Sequence, residues 1–167
     1  MMSNASGRKR EGKYLTFALG DEEYGIDALK VQGILGMQTI TPIPNAPHSV
    51  KGVTTVRGKV APIVSARLQL GMYEIDYTSE TCIILVTLQN TWAGLIVDTV
   101  RDVIDIWENQ VEDAPQVGTY GNDEIIGLAK IGDSVKILLD IDKTLGSIIA
   151  DFSPGTQAGE AFPLEGE

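Results

Sequence analysis

Residues 15–35, LTFALGDEEYGIDALKVQGIL, align without a gap on residues 84–104, ILVTLQNTWAGLIVDTVRDVI. The offset of 69 sets Leu19 on Leu88, Gly25 on Gly94, Ile26 on Leu95, Val31 on Val100 and Ile34 on Val103. A second block, GVTTVRGKVAPIVSARLQLG at 52–71, aligns on GLAKIGDSVKILLDIDKTLG at 127–146 with an offset of 75. Gly52 then meets Gly127, Val60 meets Val135, and Gly71 meets Gly146. The six-residue difference falls between the blocks, around IWENQVEDAPQVGTYGNDE. The chain therefore holds two copies of one unit of about 60 residues, and any fold must place the same pattern twice.

Each copy reads as β. Leu15, Phe17 and Leu19 alternate with small or polar neighbours, and Gly-Asp-Glu-Glu turns the chain into Tyr24-Gly25-Ile26. Val31 to Leu35 forms a further strand after a short turn. TPIPNAP, with three prolines, is a connector. GVTTVRGKVAPIVS at 52–65 reads as a hairpin with Arg57 and Gly58 at its tip. Pro62 inside it marks an edge or a barrel rim, because it removes a ladder donor. Short strands, about five per unit, suggest small barrels, whose closure would remove exposed strand edges. Leu145, Ile148, Ile149 and Phe152 follow helical spacing, with Asp142 as the expected cap. Beyond Ser153 the chain is rich in Gly and Pro, carries three glutamates and no base, and is expected to be disordered.

Composition then narrows what such a chain can do. A net charge of −10 argues against a phosphate-backbone partner, which needs clustered Lys and Arg. The basic cluster Arg8-Lys9-Arg10 lies in a polar N-terminal tail, residues 1–12, and is expected to be solubilising. The lone Cys82 sits in the apolar run CIILV and can form no intrachain disulfide, which suits a reducing cytoplasm. No apolar run approaches the roughly 18 residues of a membrane helix, and the N-terminus has no hydrophobic stretch for export.

Catalytic constellations are missing. Nucleophilic catalysis by Ser or Cys needs a positioned base, and the only histidine is His48, in the loop NAPHS. No metal-ligand spacing and no phosphate-binding glycine motif occurs. Glu22-Glu23 and Asp102/Asp105 could do acid/base work, but such pairs are ordinarily solvated surface charge. Neither a cofactor nor a metal is expected. The reading that remains is a protein that presents surfaces.

Four stretches in order carry a family resemblance: LGDEEYGIDALKVQGIL; P-x-x-x-KGVTTVRGKVAPIVS; AGLIVDTVRDV; and IIGLAKIGDSVKILLDIDKTL. Together they resemble the CheW-type chemotaxis coupling proteins, over residues 13 to about 150. The resemblance implies an all-β fold of two intertwined five-stranded SH3-like barrels, at 14–71 and 81–146, with strands exchanged between them and a short C-terminal helix. The CheW-like domain would span 13–152, with an acidic tail at 153–167. It implies a cytoplasmic, non-enzymatic adaptor at the receptor array, bridging chemoreceptor hairpin tips to the regulatory domain of the histidine kinase CheA. A scaffold of the same fold in a non-chemotaxis two-component pathway, or an enzyme using a carboxylate pair, is the alternative.

Carried over by position, Val31, Ile34, Arg57 and Val103 would contact the receptor, and Gly52 and Val53 the kinase. Periodicity alone assigns Val31 and Val103 as readily to a core face as to a partner, and Arg57 as readily to a solvated turn. Glycine at both 52 and 127 points to a backbone conformation or close approach that a Cβ would block. Gly52→Asp is expected to weaken kinase binding in a folded protein. The chain departs from the family pattern at Gly33 and Ser65, where a carboxylate is usual, and these changes would remove a salt bridge or a cap.

Overall fold

The repeat is visible in the backbone of the computed structural model, which describes residues 10–115 and 124–151, with side chains to Ile148. In the first unit, β1 (Gly12–Leu19), β2 (Glu22–Asp27), β3 (Val31–Gly36), β4 (Val50–Val56) and β5 (Lys59–Ser65) lead into the short helix α1 (Ala66–Gln69). In the second, β6 (Cys82–Leu88), β7 (Thr91–Val97), β8 (Thr99–Ile106), a two-residue β9 (Val111–Glu112), β10 (Ile125–Ile131) and β11 (Ser134–Leu139) lead into α2 (Ile141–Asp151). Two hairpins turn on consecutive left-handed residues, Arg57 (φ 52°) with Gly58 (φ 81°) and Gln89 (φ 50°) with Asn90 (φ 68°). Positive φ at both positions gives the type I′ turn, whose twist matches its strands.

The strands form two sheets, in the orders β8-β1-β2-β11-β10-β9 and β3-β6-β7-β5-β4. Each unit's first hairpin has thus left its own unit and lies in the other's sheet. The joints are parallel pairs, β2 with β11 and β7 with β5. Link length forces this exchange. β3 is antiparallel to β6, and β6 to β7, so a unit that kept its own hairpin would need β2 parallel to β3. The chain would have to travel back along a strand of six residues, roughly 20 Å at about 3.3 Å per residue. Only Ala28–Lys30 join β2 to β3, and only Asp98 joins β7 to β8. A parallel return takes a dozen residues or more. The units can satisfy their strands only by trading hairpins.

Packing follows from the alternation. Leu15, Phe17 and Leu19 of β1 and Ile84, Val86 and Leu88 of β6 all enter one central core, with Tyr24, Ile26, Val64, Leu95, Leu139 and Leu145. Phe17 is fully buried and stacks on Tyr24 at 5.7 Å. The opposite faces carry smaller cores: Tyr14, Ile106, Val111, Ala129 and Leu138 on one sheet, and Ile63, Ile83 and Ile96 beside Val56, Ala61 and Leu85 on the other. At the joints the backbones approach closely. A Cβ on Gly94 would lie 2.6 Å from Ile63 Cδ1, and one on its mate Gly25 would lie 3.0 Å from Leu138 Cδ2.

Several expectations are corrected. The sheets are open, with two edges each, rather than ladders closed into barrels. One edge of each is partly covered: β9 pairs with β10, and Thr41 exchanges both backbone hydrogen bonds with Val53 of β4 at 2.9 Å. Pro62 lies in a central strand, not at an edge. The ladder from β5 to β7 starts only at Ile63, and Val53, opposite Pro62 on β4, spends its backbone groups on Thr41. No neighbour therefore asks Pro62 for an N–H. Helix α2 is capped by Asp140, whose Oδ1 accepts from the Lys143 N–H at 3.2 Å, while Asp142 pairs with Lys30 at 2.8 Å. At the equivalent place Ser65 accepts from the Leu68 N–H at 3.2 Å, so that cap is kept without a carboxylate. Arg10 is not a solvated tail residue. It is 6% exposed and held by Glu108 at 2.6 Å and Asp113 at 2.7 Å. Arg8, Lys9, Phe152 and the expected C-terminal tail lie outside the described residues, as does the side chain of Ile149.

Gly52 proves structural first. Its φ is 143°, and a Cβ there would sit 2.1 Å from the Thr41 carbonyl oxygen, a backbone atom that cannot rotate aside. Gly52→Asp is therefore expected to damage the fold as well as any interface, against the expectation of an intact variant. The loss should be about 3 kcal/mol or more, a fall in melting temperature of roughly 6–12 °C. Gly33→Asp, whose Cβ would meet nothing within 4 Å, should melt with the wild type. Thermal unfolding followed by circular dichroism checks both.

The Arg67 guanidinium grips Asp98 with two hydrogen bonds, 2.9 and 2.7 Å, and the Gly20 N–H donates to the same carboxylate at 2.7 Å. Arg67 holds the Asp98 pKa below the ordinary carboxylate value. A group whose pKa is depressed by folding stabilises above its unfolded pKa and loses that contribution as pH falls through the folded one. Asp98→Asn should cost about 1–3 kcal/mol at pH 7. The gap between wild type and variant should close below about pH 4, as measured by urea unfolding across pH.

Candidate protein-binding surface

β3 and β8 are the edge strands where the central core reaches the surface. Residues opposite one another on neighbouring strands share a face. Val31 and Ile34 stand opposite Val86 and Ile84, and Val103 opposite Leu15, all four partners on core faces. Val31 and its mate Val100 pack on that core while partly exposed. Ile34 and its mate Val103 are 49% and 56% exposed. Val31, Ile34 and Val103 thus occupy one kind of position, the apolar border of the central core. Both copies expose one aliphatic side chain at the same edge position.

Arg57 stands apart from them. Its guanidinium carbon lies 5.9 Å from the centre of the Trp92 ring, and the Lys59 ammonium lies 4.6 Å from the same ring. On β7, Ala93 enters the central core while Trp92 packs against Val56, Ala61 and Leu85, so this cluster is on the sheet's other face. A non-glycine residue at φ 52° costs about 1 kcal/mol or more in backbone strain, offset in part by the cation–π contact. Trp92 and Lys59 escaped the sequence reading. The only signal was a tryptophan two residues past the Gln89-Asn90 turn, facing the tip of a neighbouring hairpin.

Gly52 and Val53 lie on β4, where Thr41 covers the strand edge. Their backbone hydrogen bonds are not free to take an added strand there, so only the side chain of Val53 and the surrounding surface remain available. At Gly33 the missing carboxylate leaves open space, and its mate Asp102 instead has its backbone gripped by Thr16. The Thr16 hydroxyl donates to the Asp102 carbonyl at 2.9 Å and accepts from its N–H at 3.0 Å.

Of the four carboxylates weighed for acid/base chemistry, Glu23 and Asp105 are engaged in ion pairs. Glu23 pairs with Lys136 and with Arg101, and Asp105 with Lys13 at 2.9 Å. Burial pushes the Cys82 thiol up, away from nucleophilic thiolate. His48 is exposed in its loop. Among the described residues no group of three or more potential ligands could hold a metal, and no helix is long and apolar enough to cross a membrane.

Comparison with known proteins agrees with the fold. The CheW-like domain family model matches residues 13–148. The chain is 37% identical over 147 residues to the chemotaxis protein CheW of Klebsiella aerogenes, covering 87% of this chain and 89% of that one. It is 33% identical over 138 residues to the chemotaxis protein CheW of Treponema pallidum, covering 80% and 81%. Among solved structures, the scaffolding protein TtCheW of Thermoanaerobacter tengcongensis matches with a TM-score of 0.72 at 33% identity, over 78% of this chain and 90% of that one. Sequence, two-sheet architecture and solved relative agree, and the chain belongs to the CheW-like domain family.

Proposed function

We propose that this chain is a non-enzymatic chemotaxis adaptor, working in the cytoplasm at the receptor array, that couples the hairpin tip of a chemoreceptor to the histidine kinase CheA. The observation that carries the reading is the apolar border of the central core, exposed at Ile34 and its mate Val103 and continued inward by Val31. A helical hairpin fits such a border, because one apolar stripe can pack on aliphatic side chains while its polar flanks stay wet. Arg57, braced over Trp92, supplies a cation to a carboxylate of the receptor at a second point of contact. The kinase regulatory domain engages the β4 segment through the Val53 side chain and the surface around Gly52. Membership of the family and similarity to a scaffolding protein support the adaptor role.

Coupling is testable in a mixture of receptor fragment, kinase and ATP. The chain alone should show no turnover, and its addition should raise receptor-dependent kinase autophosphorylation. Equal autophosphorylation with and without it would remove the coupling role.

The receptor contact is tested by calorimetric titration of receptor fragment into variants shown to be folded. Ile34→Asp and Val103→Asp should each weaken binding about tenfold or more, since each places a charge in an apolar contact. Arg57→Glu should cost roughly tenfold at low salt and less at high salt. Kinase affinity should be unchanged in all three. A receptor affinity within about twofold of wild type for Arg57→Glu would confine the receptor contact to the apolar border.

A further inference from the structure

The two units are alike in shape and opposite in charge. Residues 10–70 hold seven Lys and Arg against five Asp and Glu, a net +2, whereas residues 81–151 hold four against twelve, a net −8. The asymmetry is concentrated where the units meet. Lys13, Lys30 and Arg67 of the first unit pair with Asp105, Asp142 and Asp98 of the second, at 2.9, 2.8 and 2.7 Å. Arg10 reaches Glu108 and Asp113 in the same sense.

The repeat offsets show what an exchange between like units would do. Arg67 and Asp142 are mates, and so stand at the same corner of the two joints with opposite sign. If the first unit traded hairpins with a copy of itself, Lys30 would arrive beside Arg67, two cations together. If the second did so, Asp98 would arrive beside Asp142, two anions together. Lys13 would face Gly36, the mate of Asp105, and lose its partner. Two pairs run in the reversed sense, Glu23 with Arg101 and Glu23 with Lys136, and the tighter of them, Glu23 with Lys136, obeys the same logic. Its counterpart at the other joint is Trp92 beside Ala61, so a like pairing would set Glu23 against a fully buried alanine.

We propose that this charge polarity is a pairing code. It selects hairpin exchange between unlike units and disfavours exchange between like units of two chains. Such swapped dimers keep nearly every backbone ladder of the monomer, because the mates share register. The exception is Pro62, the mate of Ile137, which brings no N–H to the β2 ladder. Register otherwise does not discriminate against them. Opposite charge on matched faces does.

The test uses the full chain. The four-residue variant Lys13→Asp, Lys30→Asp, Asp105→Lys, Asp142→Lys keeps both native ion pairs with their sense reversed. It also makes like pairing attractive, because residue 30 then suits Arg67 and residue 142 then suits Asp98. Wild type and variant are refolded from urea over a range of protein concentrations at low salt and sized by light scattering after gel filtration. The wild type should return as monomer. The variant should yield about ten times more dimer, as expected for two exposed repulsions turned into attractions. A variant that refolds to monomer as completely as wild type overturns the proposal. If the variant fails to fold, the wild type decides alone. Refolding in about 1 M NaCl, where the screening length is roughly 3 Å, should raise its dimer share above that at low salt, and equal shares overturn the code.

Discussion

The length of two links governs this molecule. Three residues between β2 and β3, and one between β7 and β8, cannot carry the chain back along a strand. Each hairpin must therefore continue across into the other sheet. The parallel joints follow, and with them the need for glycine at 25 and 94, where a joint strand lies directly against a side chain of its neighbour. The central core follows as well. Leu15, Phe17 and Leu19 from one unit and Ile84, Val86 and Leu88 from the other meet there because both hairpins have crossed. Neither unit owns that core.

Within this frame the two copies solve the same local problems, sometimes with the same residue and sometimes not. Gly52 passes under the Thr41 carbonyl and Gly127 lies against Glu112, so both glycines admit the strand that covers the sheet edge. Ser65 and Asp140 cap the helices with different oxygens. At a register shift between β1 and β8, Thr16 satisfies the Asp102 backbone, while its mate Leu85 is simply buried beside β3. Differences of this kind are what allow one copy to be told from the other.

The repeat, the strands, the hairpin turning at Arg57 and the helix near the C-terminus were legible because period, glycine placement and turn residues are local signals. Which strand lies beside which was not derivable from periodicity, since an exchanged and an unexchanged hairpin have the same alternation; it came through family resemblance. Arg10 was misread as tail because a basic run looks the same whether it is solvated or buried against Glu108 and Asp113, about a hundred residues away. Pro62 was misread as an edge for a related reason: Thr41, which takes the backbone bonds of Val53, belongs to a connector with no strand pattern of its own. For the surface, Ile34 and Val103 were placed by family position, and only the structure shows that they border a shared core. Trp92 beneath Arg57 is a contact between two hairpin tips, and no spacing along the chain announces it.

The crossing of the hairpins also sets a timetable. β1 is flanked by β2 and by β8, which ends at Ile106, and β2 waits for β11, which ends at Leu139. The first hairpin is complete at Asp27, so 112 further residues must leave the ribosome before its sheet can close. At the usual pace of synthesis that is roughly 6–20 s. Throughout that interval the core that Leu15, Phe17 and Leu19 share with Leu139, Ile141 and Leu145 stays incomplete.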